Sequence, residues 1–167
     1  MTEKIYRSYL EIKSLDELKE VKKPSENYSV DLGDPKDFQL NKFFYKNIGK
    51  NYHWIDRLIW TDQNWNDYVS NQSLSTYILK DKEEMEGYFE LIFNKVKNEV
   101  EVAYFGILEE NFGKKLGGYL LSEVIRISFS LGFKRVWAHT CSLDHKNALN
   151  NYTSRGMKIF KSETIIR

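Results

Sequence analysis

A glycine-containing loop lies between a strand-like and a helix-like segment of the chain, within residues 100–121. Its glycines and lysines are Gly113, Lys114, Lys115, Gly117 and Gly118. Glycine lets a backbone approach a ligand closely and adopt positive φ angles. A helix that begins after such a loop presents unpaired N–H groups and the positive end of its dipole. The pattern predicts a binding site for a phosphate or another anion.

The loop alone does not identify its ligand. It lacks the Gly-Lys-Ser/Thr sequence of nucleoside-triphosphate loops, and it lacks the Gly-x-Gly-x-x-Gly sequence of dinucleotide-binding folds. An ordinary turn with glycines at its ends is the alternative, and a nucleotide-binding protein is disfavoured because no Mg²⁺-ligand motif accompanies the loop.

A second segment adds a tyrosine at helical spacing. Ala148 and Tyr152 are four residues apart and share one face of a predicted helix, which Gly156 ends. A phenol has a pKa near ~10 and can protonate a leaving group. The alternative is that Tyr152 only packs against the last strand.

The two segments together resemble the motifs of the GNAT superfamily of N-acetyltransferases. The family's Gln/Arg-x-x-Gly-x-Gly/Ala motif places its first residue at Phe112, its first glycine at Lys115 and its second at Gly117, so two signature positions depart. The run from Ala148 to Met157 resembles the family's Ala-x-x-x-Tyr-x-x-x-Gly-Phe helix. The longer stretch 53–163 looks like a bacterial branch of uncharacterised GNAT proteins.

The resemblance implies direct acetyl transfer from acetyl-CoA, a cosubstrate, to a primary amine, without a metal. The expected acceptor is a small-molecule amine or a peptide or protein amine. The cofactor-binding residues that it implies are Phe105, Gly106, Ile107, Phe112, Gly113, Lys114, Lys115, Leu116, Gly117, Gly118, His145 and Asn147. A catalytically weak acyl-CoA-binding or regulatory module is the alternative, because Phe112 and Lys115 depart from the motif.

The resemblance also implies that Tyr152 is the general acid, and two glutamates compete for the role of base. Glu101 aligns with a position where relatives hold a glutamate. Glu90 is its rival, because a two-residue hairpin at 97–98 would place it opposite Phe105, on the same sheet face as Glu101. A salt bridge or exposure at a sheet edge is the alternative reading of each acid.

The bulk composition favours a protein of the cytoplasm. The chain has 167 residues, a net charge of +1 and one cysteine, Cys141. No global field points to nucleic acid, no disulfide can form within the chain, and no apolar run reaches the ~20 residues of a membrane helix. We expect neither nucleic-acid nor membrane partners, and a monomer or homodimer. His139 is expected to be a core histidine.

The segments that position these residues read as helices, then an antiparallel meander, then alternating strands and helices. Helices are predicted from 34 to 49, from 61 to 69, from 117 to 131 and from 144 to 155, and strands at 5–12, 77–79, 87–93, 100–107, 135–140 and 157–166. Residues 22–34 are expected to be loop. This order predicts an α+β fold, a mixed, mostly antiparallel twisted sheet flanked by helices on both faces. Residues 1–167 are predicted to form one domain, in which 1–33 are candidates for a loosely ordered N-terminal extension.

Overall fold

A computed structural model describes residues 2–166, which form seven β-strands and four α-helices. The strands are β1 (Lys4–Ile12), β2 (Tyr28–Leu32), β3 (Leu74–Asp81), β4 (Glu84–Asn94), β5 (Glu99–Ile107), β6 (Arg135–Cys141) and β7 (Lys158–Ile166). The helices are α1 (Phe38–Gly49), α2 (Asp62–Val69), α3 (Leu116–Ser130) and α4 (Ala148–Ser154).

All seven strands belong to one sheet, in the order β2-β3-β4-β5-β6-β1-β7. Every neighbouring pair is antiparallel except β5 and β6, which the α3 crossover makes parallel. Leu120 of α3 and Tyr152 of α4 pack with Phe89 on one face, whereas Phe44 of α1 packs with Tyr88 on the other. Successive strand residues point to opposite faces, so the helices cover both sides. The predicted α+β fold is confirmed.

The N-terminal residues are part of the sheet. Strand β1 lies between β6 and β7, with Leu10 and Ile12 buried in the main core. Residues 28–32, expected to be loop, form the edge strand β2, and burial of Tyr28 in the core explains this difference. A short pattern of this kind is easily missed because an edge strand buries few side chains.

Two helices begin later than predicted because aspartates make local turns. The Asp34 carboxylate accepts a hydrogen bond from the Lys36 amide (2.8 Å), and α1 begins at Phe38. The Asp144 carboxylate accepts hydrogen bonds from the Thr140 hydroxyl and the Cys141 amide, and α4 begins at Ala148. Aspartate favours such turns as readily as helix caps.

The β4–β5 hairpin corrects the predicted register of Glu90. Its turn has four residues, 95–98, and a bulge leaves Ala103 without a partner on β4. Glu90 therefore lies opposite Tyr104 rather than Phe105. Because the bulge exchanges the faces of β5, Glu101 before it and Tyr104 after it both point towards α1 and α2. The expectation that Glu90 and Glu101 share one face is confirmed.

The turn after α4 needs glycine for two reasons, and substitution separates them. Gly156 has φ +105°, and a Cβ there would collide with the backbone oxygen of Glu17, whereas Gly132 has φ +95° and open space around it. We expect Gly132→Ala to lower the free energy of unfolding by about 1–2 kcal/mol. Gly156→Ala should cost roughly 1–3 kcal/mol more through the collision. Urea denaturation of both variants measures the difference, and equal losses would contradict it.

Candidate functional site

A cleft passes through the sheet where β5 and β6 separate. The two strands pair at three positions only, the last of which joins Glu101 to Trp137. Beyond them the gap opens into a cavity of about 1170 Å³. Tyr52, Trp54 and other residues of the α1–α2 loop line one end of the cavity, and the start of α3 and the length of α4 line the other. The cleft thus joins two chemically different halves.

The start of α3 is suited to bind an anion. The helix begins at Leu116 after Lys115, whose side chain makes no capping hydrogen bond, and its first turn contains no acidic residue. The first amides of a helix have no partner within it, so those of Leu116, Gly117 and Gly118 are available to a ligand. The Asn151 amide group donates a hydrogen bond to the Gly117 oxygen (3.1 Å) and fixes α4 against this turn.

All but one of the predicted cofactor-binding residues line the cleft. They are Phe105, Gly106, Ile107, Phe112, Gly113, Lys115, Leu116, Gly117, Gly118, His145 and Asn147. Lys114 is directed elsewhere, because its ammonium group donates to Glu86 (3.1 Å) and to Asn111 (2.8 Å). The charge of Lys114 therefore fixes the loop, and Lys115 is the lysine at the cleft.

Phe112 and Lys115, which depart from the family motif, keep places at the site. The Phe112 ring meets the His145 ring edge-on, with centroids 5.2 Å apart, and His145 meets Tyr52 in the same way at 6.1 Å. Lys115 adopts the left-handed conformation (φ 61°, ψ 33°) at the position of the motif's first glycine. Lys115 thus holds a backbone conformation that glycine adopts without strain.

Glu101 is a half-buried acid at the closed end of the cleft, where β5 and β6 still pair. It lines the cleft and makes no hydrogen bond or ion pair with the residues that the structure describes. Burial, with a smaller contribution from the charge of Glu99, raises the pKa of its carboxyl group. A carboxylate with free lone pairs and a raised pKa is a suitable proton acceptor.

Glu90 is fully buried and its oxygens are occupied. Arg57 donates to both of them (3.1 and 3.3 Å), the Tyr68 hydroxyl donates to Oε1 (2.7 Å) and the Asn41 amide group donates to Oε2 (2.8 Å). Glu90 is absent from the residues around the cleft, among those described. The structure therefore ties Glu90 into a hydrogen-bond network and leaves Glu101 open.

Tyr152 faces the cleft from α4. Its side chain is 8% exposed, and its ring lies 6.4 Å from that of Phe105. Burial, and then the charge of Asp144, raises the pKa of its hydroxyl group above the ordinary value. The phenol is therefore protonated at neutral pH, as a proton donor must be.

His139 and Cys141 do not form a further centre. His139 is exposed, and its ring is tilted against that of Tyr9, with centroids 5.5 Å apart, so the expectation of a core histidine was wrong. Among residues 2–166, no group of three or more His, Cys, Asp or Glu side chains could hold a metal, and no helix is long and apolar enough to cross a membrane.

Comparison with known proteins identifies the family. Residues 39–157 match the model of the acetyltransferase (GNAT) family, and the chain belongs to this family. No match was found among curated protein sequences.

Solved structures share the fold at low sequence identity. A spermidine N-acetyltransferase from Vibrio cholerae, in complex with CoA and spermine, has 15% identity and a TM-score of 0.65, over 85% of this chain and 96% of that one. An aminoglycoside acetyltransferase from an uncultured soil metagenomic sample has 9% identity and a TM-score of 0.65, over 80% and 90%. A GCN5-related N-acetyltransferase from Sphaerobacter thermophilus has 13% identity and a TM-score of 0.67, over 97% and 50%. This chain spans only 50–62% of the length of three such structures.

Arg57 and Asn151 are two residues of the site that were not predicted from the sequence. Arg57 lies in an aromatic-rich segment. Glu90 is an acid within an apolar strand and needs a buried partner, and this need was the one signal that pointed to Arg57. Asn151 lies on the helix of Tyr152 and gave no separate signal, because a polar residue on a short helix is usually solvated.

Replacement of Lys115 should separate its conformation from its charge. Both Lys115→Ala and Lys115→Gly remove the ammonium group, but only glycine adopts φ 61° without strain. We expect the glycine variant to be more stable than the alanine variant by about 1–2 kcal/mol. Chemical denaturation in urea measures this difference, and equal stabilities would show that the left-handed backbone carries no strain.

The raised pKa of Glu101 predicts a pH-dependent stability. Folding raises this pKa, so the folded state binds the proton more tightly than the unfolded state, and the folded state is disfavoured once pH rises above the unfolded pKa. Glu101→Gln should therefore be more stable than the parent at pH 7. That advantage should shrink as pH falls to about 4 and the carboxyl group becomes protonated. Denaturation at both pH values measures this, and an advantage that grows towards pH 4 would contradict it.

Proposed function

We propose that the protein transfers an acetyl group from acetyl-CoA directly to a primary amine. The observation that carries the proposal is the cleft at the β5–β6 splay, which joins the uncapped start of α3 to the unpaired carboxylate of Glu101. One half of the cleft offers amide donors for phosphates, and the other offers an aromatic pocket with a proton acceptor. A thioester bound between the two halves would contact both the amide donors and the proton acceptor.

The cofactor would lie along the open edge of β5 with its pyrophosphate at the start of α3. The amides of Leu116 to Gly118 would donate to phosphate oxygens, with Lys115 adding charge. Past Glu101, β5 has no partner on its β6 side among the described residues, so the backbone groups that point to that side are free. The Leu108 amide donates to the backbone oxygen of Glu86 in β4 (2.8 Å), and alternate residues direct their backbone groups to opposite edges, so those of Phe105 and Ile107 face the open side. The backbone groups of Phe105 and Ile107 are the proposed partners of the pantetheine arm and the thioester carbonyl.

The reaction needs two proton transfers. The amine nitrogen attacks the thioester carbon, and its proton passes to the Glu101 carboxylate, directly or through a water molecule. The carbon–sulfur bond of the resulting tetrahedral intermediate breaks, and the Tyr152 hydroxyl gives its proton to the departing sulfur. Glu101 is proposed as the base in preference to Glu90, because each oxygen of Glu90 already accepts two hydrogen bonds.

A catalytically weak acyl-CoA-binding or regulatory module remains the second candidate. Phe112 favours it, because its side chain is 42% exposed at the mouth of the phosphate loop, where the family motif has a polar residue. Both candidates bind acyl-CoA, and only turnover separates them. Because named relatives include spermidine and aminoglycoside acetyltransferases, a small-molecule amine is the acceptor that we propose to test first.

Binding and turnover test the proposal in one series. Acetyl-CoA at ~100 times its Kd should stabilise the protein by about 2.7 kcal/mol, seen as a higher Tm, and an amine panel should reveal an acceptor that releases free thiol. Tyr152→Phe should keep the Tm shift and lose roughly 100-fold or more in kcat. Tyr77→Phe is the matched control, because Tyr77 is partly buried in the same core but does not line the cleft.

The outcomes distinguish the two candidates. Absence of a Tm shift with acetyl-CoA would overturn both. A shift without thiol release from any amine would support the regulatory module. Full turnover by Tyr152→Phe would remove the proposed acid.

A further inference from the structure

Arg57 is a buried arginine in the wall of the acceptor half. Arg57 is 6% exposed, yet it lines the cleft. The guanidinium carbon lies 4.1 Å from the centre of the Tyr68 ring and 4.3 Å from that of Tyr104. These contacts hold the cation in one place, and the Arg57 amide donates to the Tyr45 hydroxyl (3.0 Å). Its head group is therefore fixed before any ligand arrives.

Arg57 uses only one of its nitrogen atoms to bind Glu90. Nη1 donates to both carboxylate oxygens, and Nε and Nη2 make no hydrogen bond with the residues that the structure describes. A guanidinium group has five N–H donors and normally pairs with a carboxylate through two nitrogen atoms. Neither Nε nor Nη2 is among the side-chain atoms that are sealed from solvent without a partner. These two donors thus keep some contact with solvent, and Arg57 lines the cleft.

Glu90 does not require the remaining donors. Tyr68 and Asn41 also donate to its carboxylate, so each of its oxygens accepts two hydrogen bonds. A purely structural ion pair would gain from the forked geometry that is absent here. The arrangement instead turns one edge of the guanidinium group away from Glu90.

We propose that the acceptor carries a carboxylate as well as its amine, and that Arg57 binds this carboxylate through Nε and Nη2. This inference rests on the proposed acetyl transfer. The planar guanidinium group matches a carboxylate with two parallel hydrogen bonds. An α-amino acid is the simplest acceptor of this class.

The distance between the two ends of the acceptor suits a short molecule. Glu101 pairs with Ile92, which is two residues beyond Glu90 on β4 and on the same face. Two residues of a strand span roughly 7 Å. Glu101 and Glu90, the partner of Arg57, are therefore separated by this short spacing along the sheet, which favours a short acceptor.

The charges in this half of the cleft suit a zwitterion. Asp56 is exposed at the wall of the cleft, and Glu101 lies at its closed end. Both can face the ammonium group of the acceptor as it enters. Arg57 is the cation for the opposite end, and Tyr52 and Trp54 offer apolar surface to a side chain.

Matched acceptors test the inference on the parent enzyme. Thiol release from acetyl-CoA is measured with glycine against glycinamide and with phenylalanine against phenylalaninamide and phenethylamine. We expect kcat/KM to be roughly 10- to 100-fold higher for the carboxylates, the effect of a hydrogen-bonded charge. Faster acetylation of the amides and of phenethylamine would overturn the inference and leave the proposed acetyltransferase standing. Acetylation of no member, with thiol release from another amine of the wider panel, would also overturn the inference and leave the proposed acetyltransferase standing.

Two variants separate recognition from structure. Glu90→Gln keeps Arg57 and should keep the preference for carboxylates. Arg57→Gln combined with Glu90→Gln leaves no unpaired buried charge and should reduce the preference to within about threefold of unity, while the KM for acetyl-CoA stays within about twofold. A preference that survives in the double variant would overturn the inference. If the double variant does not fold, the preference of the parent enzyme for carboxylates over amides tests the inference.

Discussion

The early end of the pairing between β5 and β6 is the constraint on which the site depends. Three residue pairs hold the two strands together, and Arg135 secures this end, because its guanidinium group donates to Glu99 of β5 and to Glu11 of β1 (both 2.7 Å). Beyond Glu101 the bulge at Ala103 and the crossover through α3 carry the strands apart. The cleft, the free edge of β5 and the position of Glu101 all follow from this separation.

Two acids on one face of the sheet acquire different properties because of what surrounds them. Glu90 has an arginine, a tyrosine and an asparagine within hydrogen-bond distance, and these partners offset the cost of burying its polar side chain. Glu101 has no such partner among the described residues, and burial raises its pKa. Their residue type is the same, so their roles are set by α1, α2 and the loop between them, each of which supplies a partner to Glu90 and none to Glu101.

The sequence was sufficient for the fold class, for most element positions and for bringing the residues around the start of α3 to the cleft. Those features depend on local patterns: glycines before a helix, alternating strands and a tyrosine at helical spacing. It was insufficient where a partner that is distant in sequence decides the direction of a side chain. Lys114 turns towards Glu86, and Arg57 turns towards Glu90. The register of Glu90 failed for a related reason, because a bulge gives no signal in a single sequence. Strand β2 was missed since only one of its residues, Tyr28, is fully buried.

Strand β1 ties the order of folding to the whole length of the chain. It pairs with β6 on one side and with β7 on the other, so that Lys4 lies opposite Ile166. Contacts between residues this far apart in sequence form slowly. During synthesis β1, with the apolar side chains of Ile5, Leu10 and Ile12, must wait unpaired until β6 has emerged. The wall of the cleft formed by β6 therefore gains its β1 neighbour late, and until then β1 is the segment most exposed to pairing with the wrong neighbour.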